Sequence, residues 1–565
     1  MANTSNTMTM PTYHNQPPIS PKLEALTSFW SPPGVYQVKP NVWSAVGFGP
    51  ANIIMIKGID GLIIIDTGIG YGQGKKVMQE FRNLVPDLPV KAIIYTHGHV
   101  DHVQGAGAFV EQGENVAVYA HESTLAFYVN ENALLGPIQS LRAVYATGVL
   151  LPKEGPDRQF MGILPTLPDR GNISFIPPTT TFSDQMDVDV SGVKLKLIHV
   201  RGETTDHINL WYPKEKVLFI GDNVYGVLPN IYSIRGVRFR DPLDQINALD
   251  TALSFHPNFV VGSHQKPIMD SAEVIDILTS VRDALEYIRD QTIRGMNKGY
   301  TADELAQMIT LPKHLAEHPW LTQGRGPVAW FVKEIYNGYV GWYEGDPAFL
   351  DAISLVERSK HIVDGFGGIN HTVLKVREAI ENGKDQWASE LATYVIKVDP
   401  QNIEAKLLKA HALRVVGQRM TAADGRQWYL TAALELEGKI KIDPNKFAVT
   451  SPQQLAALPI DNLLEILATK IDPVKAEGAS MTLAISISDI GKNYLLHVRN
   501  GVLAVRKDTI PENFDMLLTL DLDAFKSIVN GIQTIVDFVR TGRAKFEGNI
   551  KDLEKFVAIF DPLLD

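Results

Sequence analysis

The 565-residue chain has no cysteine. That absence excludes disulfides, thiolate-bound zinc, iron–sulfur clusters and a catalytic thiol. Any metal must therefore be held by His, Asp and Glu. Positive charge is also scarce, with 53 Lys and Arg against 64 Asp and Glu and a formal charge of −11. No basic run stands out of the kind a nucleic-acid partner requires. The densest grouping, Arg235, Arg238 and Arg240, lies in an apolar, turn-like segment. No stretch reaches the ~18 consecutive apolar residues of a spanning helix. The N-terminus MANTSNTMTMPTYHNQPPIS has no basic region followed by an apolar core, so it does not read as a secretory signal. The expectations are a flexible tail over 1–33, no membrane span and a cytoplasmic location.

What is present is ordinary globular composition, 45% hydrophobic and 21% charged. The length suggests about three domains at roughly 100–200 residues each. Over 34–270, short apolar runs alternate with Gly, Pro and Asp turns: 52–56, 61–66, 90–96, 116–120, 193–200 and 217–221. Continuous apolar runs of this length predict strands buried on both faces. Helical patterns between them, at 74–84 and 242–255, make this an α/β layered domain. From 271 to 440 the pattern turns helical, and TADELAQMI opens with a capping-box signature at Thr301 and Glu304. Segment 371–416 reads as paired helices, suited to packing and subunit contact. From 445 to 565 the chain reads as an α+β domain. All eight Trp lie at or before Trp428, MTLAISI alternates with period two, and Asn500-Gly501 marks a hairpin.

The most informative string is KAIIYTHGHVDHVQG. His97, His99 and His102 fall within six residues, where a uniform scatter of the 15 His would place about 0.16. The cluster follows an apolar strand, so it lies on a loop where ligands can converge on one point. Neutral imidazoles at i and i+2 can bind one metal, and the Asp101–His102 pair a second one ~3.5–4 Å away.

Together with GLIIIDTG at 61–68, this motif resembles the metallo-β-lactamase superfamily. The resemblance implies an αββα sandwich with a two-metal site at one sheet edge, braced by Asp66. It also implies further ligands after later strands. Gly202-Glu203 stands where many members have Gly-His, so Glu203 is the expected third ligand of the first metal. Asp222, ending VLFIGD, is the expected bridge, and His264 in FVVGSHQKP the last ligand. His199, inside LKLIHV, reads as a buried satisfied residue, His207 as a weaker competitor, and His256 as a turn residue. The expected site is then His97, His99 and Glu203 on one metal, with Asp101, His102 and His264 on the other. Such N/O ligands suit two Zn ions, with Mn or Fe as alternatives.

The segment DNVYGVLPNIYSIRGVRFRDP is similar to the alkylsulfatase (type III sulfatase) family, in which A-E-N is followed by N-L-Y-x-L-R-G. LRAVYATGVLLP at 141–152 and GYVGWYEGDP at 339–348 resemble the same family. The resemblance covers nearly the whole chain. It implies a metallo-β-lactamase domain, then an all-α helical dimerisation domain, then an α+β sterol-carrier-protein-like domain. It implies a homodimer and cleavage of small anionic alkyl sulfate esters with an apolar chain. Asp101 and Arg235 are assigned catalytic roles; Asn230, Arg235, Tyr145 and Trp330 are assigned substrate contacts. A guanidinium fork and an amide suit the oxygens of a sulfate monoester. Leu228, Ile231, Trp330 and Trp342 are candidate walls for the apolar chain.

Three positions depart from the family. Asp222 replaces its Glu. Trp330 stands where a His near the sulfate is usual, and Phe331 where Asn is usual. Indole has one donor and no acid function. A second reading therefore keeps the metals and changes the ester to a lactone or phosphodiester. A third makes the C-terminal domain a lipid carrier and the metals incidental.

Overall fold

The computed structural model describes residues 16–111, 115–165, 171–447, 457–529 and 534–561, with 452 and 455. Two sheets face each other. The first runs in sequence order through β1 (Gly34–Lys39), β2 (Val42–Val46), β3 (Ile53–Lys57), β4 (Leu62–Ile65), β5 (Val90–Ile94), β6 (Ala117–His121) and β7 (Thr180–Phe182). The second has the order β12-β11-β10-β9-β8, built from β8 (Gln185–Val190), β9 (Val193–His199), β10 (Ile208–Tyr212), β11 (Val217–Gly221) and β12 (Phe259–Gly262).

The continuous apolar runs are explained by the alternation of side chains across each strand. Ile54, Ile56, Ile63, Ile65, Ala92 and Ile94 point inward and meet Leu195, Leu197, Ile208, Leu210, Val217 and Phe219 of the second sheet. Their neighbours Ile53, Met55, Leu62, Ile64 and Ile93 point outward and pack with Val77 and Phe81 of the helix Tyr71–Leu84. On the far side, Leu218, Ile220 and Val260 pack under Ile246 and Leu249 of helix Pro242–Ser254, and under helix Ser271–Met296. This is the αββα sandwich. A polar residue at any of these strand positions would be buried, so the pattern carries no polar face.

Beyond it, helices Ala302–Met308, Val328–Val340, Leu355–Gly365, Ile369–Glu381, Asp385–Val398, Ile403–Arg419 and Ala423–Leu436 follow in sequence. The Thr301–Glu304 capping box is present, with both reciprocal hydrogen bonds. The C-terminal part holds a five-stranded sheet ordered β15-β14-β13-β16-β17: β13 (Ser480–Ile487), β14 (Lys492–Arg499), β15 (Val502–Lys507), β16 (Met516–Leu520) and β17 (Lys545–Glu547). Asn500 and Gly501 both have positive φ (52° and 72°) and turn β14 into β15, as a two-residue hairpin requires. Among the described residues no helix is long and apolar enough to cross a membrane.

One expectation needs correction. Residues 1–15 lie outside the described residues, but 16–33 are no tail. Pro21–Ala25 is helical, Leu26–Phe29 forms a further helical turn, and Leu23 and Leu26 are buried with Ile163, Tyr225 and Val227. The Trp30 indole N–H donates to Gly162 O at 2.8 Å. The polar composition of the first twenty residues hid this apolar anchor, whose spacing spans only two turns.

Candidate metal centre

The ligand-bearing loops leave the strands at one edge of the sandwich. His97, His99, Asp101 and His102 follow β5, Asp222 follows β11, His264 follows β12, and Glu203 lies between β9 and β10. All seven expected ligands come together. His97 Nε2 and His99 Nδ1 are 2.7 Å apart. Glu203 Oε2 lies 3.2 Å from His99 Nδ1 and 3.7 Å from His97 Nε2. On the other side, His264 Nε2 is 3.9 Å and His102 Nε2 3.8 Å from Asp101 Oδ2. Asp222 reaches both groups: Oδ2 is 3.8 Å from His97 Nε2 and 2.9 Å from His264 Nε2, and Oδ1 is 3.4 Å from His102 Nε2.

The donor set fits divalent ions. His102 Nε2, Glu203 Oε2 and Asp222 Oδ1 are buried with no hydrogen-bond partner, and each such orphan costs about 1–3 kcal/mol if nothing satisfies it. Burial, reinforced by His102 and His99, holds the His97 imidazole well below its usual range, so it presents a lone pair and not a charge. The seven atoms fall into two sets, His97/His99/Glu203/Asp222 and Asp101/His102/His264.

Surrounding residues aim these ligands. Asp66, at φ 56° after β4, accepts from the Thr96 N–H and hydroxyl at 2.8 Å each and from His102 Nδ1 at 2.8 Å. His102 Nε2 is thereby left as the acceptor. His264 Nδ1 donates to Pro50 O at 2.7 Å with the same result. Such partners fix tautomer and orientation, and losing one costs 10–100-fold in metal affinity as an order of magnitude. Asp66→Asn is therefore expected to weaken binding at the Asp101/His102/His264 set by about that factor, read as metal content after graded chelation. Full retention would show that Asp66 does not set the ring.

Sequence reasoning missed three supporting groups, Arg240, Tyr225 and Asp206. Arg240, buried, forms an ion pair with Glu203 and donates to Asn230 O at 2.8 Å. Burial alone would raise the Glu203 carboxyl, but Arg240 and His99 outweigh it and hold it down to about 2. The Tyr225 hydroxyl donates to Glu203 and lies 3.0 Å from Asp222 Oδ2. Asp206 accepts from the Gly98 N–H at 2.8 Å, inside the His97–His99 turn. His207 is buried and Nε2 accepts from the Asp222 N–H at 3.1 Å, so it steadies a ligand and is not one. The three-arginine cluster was the available signal for Arg240; Tyr225 and Asp206 carried none.

Gly221 explains why β11 ends as it does. Its φ is +53°, and a Cβ there would meet the His207 ring at 2.5 Å. Gly221→Ala is expected to cost about 1–3 kcal/mol and to loosen Asp222. A fall in Tm with reduced metal content checks this; an unchanged Tm contradicts it.

The expected substrate residues divide. Arg235 is near the ligands and feels the charges of Arg240, Asp101 and Glu203; its Nη1 donates to Gln139 Oε1 at 2.7 Å. Asn230 is buried, and its side-chain Oδ1 has no hydrogen-bond partner. Tyr145 is placed elsewhere: its hydroxyl donates to Glu435 at 2.8 Å and its ring stacks on Trp428. Its helix, Gly136–Thr147, presents Gln139 to Arg235 and leaves Tyr145 to pack on helix Ala423–Leu436. Trp330 borders the apolar cluster around Phe331, Leu228 and Ile231, all three fully buried there, while Trp342 is 70% exposed. His199 stacks on His121 with centroids 3.7 Å apart and Nε2 bonds Thr205 O at 2.9 Å, away from the ligands. His256 is an exposed turn residue.

Three family profiles match: the metallo-beta-lactamase superfamily over 46–264, alkyl sulfatase dimerisation over 301–439, and alkyl sulfatase C-terminal over 448–563. A linear primary-alkylsulfatase of Pseudomonas sp. is 37% identical over 520 residues, 90% of this chain and 98% of the relative. An (R)-specific secondary-alkylsulfatase of Pseudomonas sp. is 27% identical over 538 residues, covering 94% of this chain and 81% of the relative. The solved structure of the stereoselective inverting sec-alkylsulfatase from Pseudomonas sp. superposes with a TM-score of 0.91 at 26% identity, covering 97% of this chain and 88% of that one.

Proposed function

The chain belongs to the alkylsulfatase family of the metallo-β-lactamase superfamily, and from that premise we propose that it is a sulfuric ester hydrolase cleaving alkyl sulfates to an alcohol and inorganic sulfate with two zinc ions. The observation that carries this is the seven-residue His/Asp/Glu set with Arg235 and Asn230 beside it. Likeness to alkylsulfatases along nearly the whole chain favours this over a lactone, a phosphodiester or a lipid carrier.

His97, His99 and Glu203 would hold one ion, Asp101, His102 and His264 the other, and Asp222 both. Divalent ions there supply Lewis acidity for water activation and for charge on the sulfate oxygens. The chain does the rest. Arg235 offers its guanidinium fork to the sulfate oxygens, and Gln139 keeps the fork oriented. The Asn230 side-chain amide N–H donates to a further oxygen. Asp101 is the most exposed of the ligand carboxylates, at 21% of its side chain, and its free oxygen accepts a hydrogen bond from incoming water. Arg240 and Tyr225 hold Glu203 ionised and still, so charge develops in a preorganised field. Release of sulfate from alkyl sulfates of graded chain length tests the assignment; no release from any ester by metal-loaded protein would refute it.

A homodimer and a cytoplasmic location belong to the same proposal. The dimerisation profile covers a segment where Val340, Trp342, Phe349, Leu350 and Val356 are exposed close together in sequence, and clustered exposed apolar side chains suit a subunit contact. Light scattering is expected to give twice the 62.5 kDa chain mass; a 62.5 kDa particle would contradict it.

A further inference from the structure

We propose that Arg325 is a second guanidinium for the anion of the substrate, supplied from a different backbone position from the His that Trp330 replaces. The inference rests on the sulfate-ester reading. Arg325 lines a small cavity with His264, Tyr225, Leu26, Phe29 and Val227. His264 is a ligand of the metal set and Tyr225 holds two of its carboxylates, so the cavity adjoins the reacting centre. The guanidinium lies over the Tyr225 ring, 5.3 Å from its centroid. This contact fixes its plane and leaves its donors free.

Those donors are not used. Arg325 Nε is buried with no hydrogen-bond partner, and no carboxylate among the described residues lies within ion-pair distance of it. The fully buried arginines behave differently. Arg240 is paired with Glu203, Arg414 with Asp157 and Glu437, and Arg426 donates to main-chain carbonyls. Arg325 is half-buried, and its guanidinium, with no ion-pair partner among the described residues, is free to meet an anion through the fork. Asp424, which is buried, lies within electrostatic reach of both Arg325 and Arg235. It links the two cations as one positive region, with Asp101 and Glu203 acting on the Arg235 side.

The position is built. In Gly324-Arg325-Gly326 a Cβ on the first glycine would meet Leu26, Val227 and Ile163 at 2.7–2.9 Å, and one on the second would meet Phe331 and Trp330 at 3.0–3.1 Å. The backbone therefore runs against the cavity wall on both sides of Arg325. Gly324 O accepts from the Ala423 N–H at 2.8 Å, tying this turn to helix Ala423–Leu436. The Trp330 indole, meanwhile, is close-packed against Gly425, where a Cβ would meet its ring at 2.8 Å. It seals the wall beside Asp424 and leaves anion contact to the arginine.

The test uses metal-loaded full-length protein, with alkyl sulfate as substrate and sodium sulfate as inhibitor and calorimetric titrant. Arg325→Met is expected to raise KM and to weaken sulfate binding by about 10- to 100-fold, the worth of one or two charge-assisted hydrogen bonds. Metal content is expected to be unchanged and kcat to fall less than kcat/KM. Arg325→Lys, which keeps charge but not the fork, is expected to recover part of the loss. If Arg325→Met does not fold, Arg325→Lys is read alone, and a several-fold loss in sulfate affinity supports the proposal. KM and sulfate affinity within about twofold of the parent in a folded, metal-replete variant would overturn it, reducing Arg325 to a packing partner of Tyr225. If the parent releases no sulfate from esters yet binds sulfate through Arg325, the enzyme reading fails and the anion site stands. If the parent hydrolyses esters and both variants bind sulfate normally, the reverse holds.

Discussion

Asp222→Ala is expected to lose sulfate release by more than the roughly 10²–10³-fold that one stabilising donor is worth, and to lose metal from both ligand sets together. The reason is geometric. Among the described residues Asp222 is the only carboxylate with oxygens near members of both sets, at 2.9 Å from His264, 3.4 Å from His102 and 3.8 Å from His97. Removing it takes away the carboxylate that those three imidazoles share, leaving only the more distant Asp101 and Glu203 beside them, and it strands the Tyr225 hydroxyl on one of its two acceptors. Asp222→Glu is the informative companion. The related A-E-N motif carries Glu at this place, so the longer side chain is expected to keep much of the metal and part of the activity. Metal analysis and sulfate release read both variants. Loss of only one metal equivalent in Asp222→Ala would show that Asp222 serves one set.

Arg235→Ala is expected to lower kcat/KM for alkyl sulfates by roughly 10²–10³-fold while leaving hydrolysis of a neutral ester, where any is measurable, nearly unchanged. Arg235 is drawn toward Asp101 and Glu203 and braced by Gln139, which in turn donates to Glu131 at 2.9 Å. The Glu131 Oε1 atom is 3.0 Å from Arg238 Nε. This chain of side chains holds the guanidinium beside the ligand cluster without neutralising it through a direct carboxylate contact. The loss is expected in binding and in rate together, since the fork meets the anion in the ground state and in the transition state alike. Equal losses for anionic and neutral esters would show that Arg235 is structural.

Much of this site can be read from the chain alone because its ligands lie within short motifs at strand ends. His97 to His102 are local, and Asp222 and His264 each close an apolar run. The strands themselves announce their burial, since both faces of Ile53–Lys57 and Leu62–Ile65 are apolar. Residues that act from a distance leave no such mark. Tyr225 and Asp206 sit in ordinary contexts and gain their roles only when β11 and the Glu203 loop meet. Arg240 lay in a visible arginine cluster, yet spacing alone could not say which of the three would pair with a buried Glu. Tyr145 failed for the opposite reason: its motif resemblance was good, but the helix rotates Gln139 toward the site and Tyr145 toward Glu435. The segment around Leu23, Leu26 and Phe29 was hidden by its polar neighbours. Likewise nothing in the string Gly324-Arg325-Gly326 marks Arg325 until the packed wall on either side is seen.

The central claim, a metal-dependent alkylsulfatase built on these seven ligands, is tested most directly by one measurement. Inorganic sulfate released from a linear primary alkyl sulfate is followed for the protein as purified, after exhaustive chelation, and after zinc is restored. The account predicts release, its loss on chelation, and its recovery with zinc. Release that persists undiminished in protein shown by metal analysis to be metal-free would contradict it.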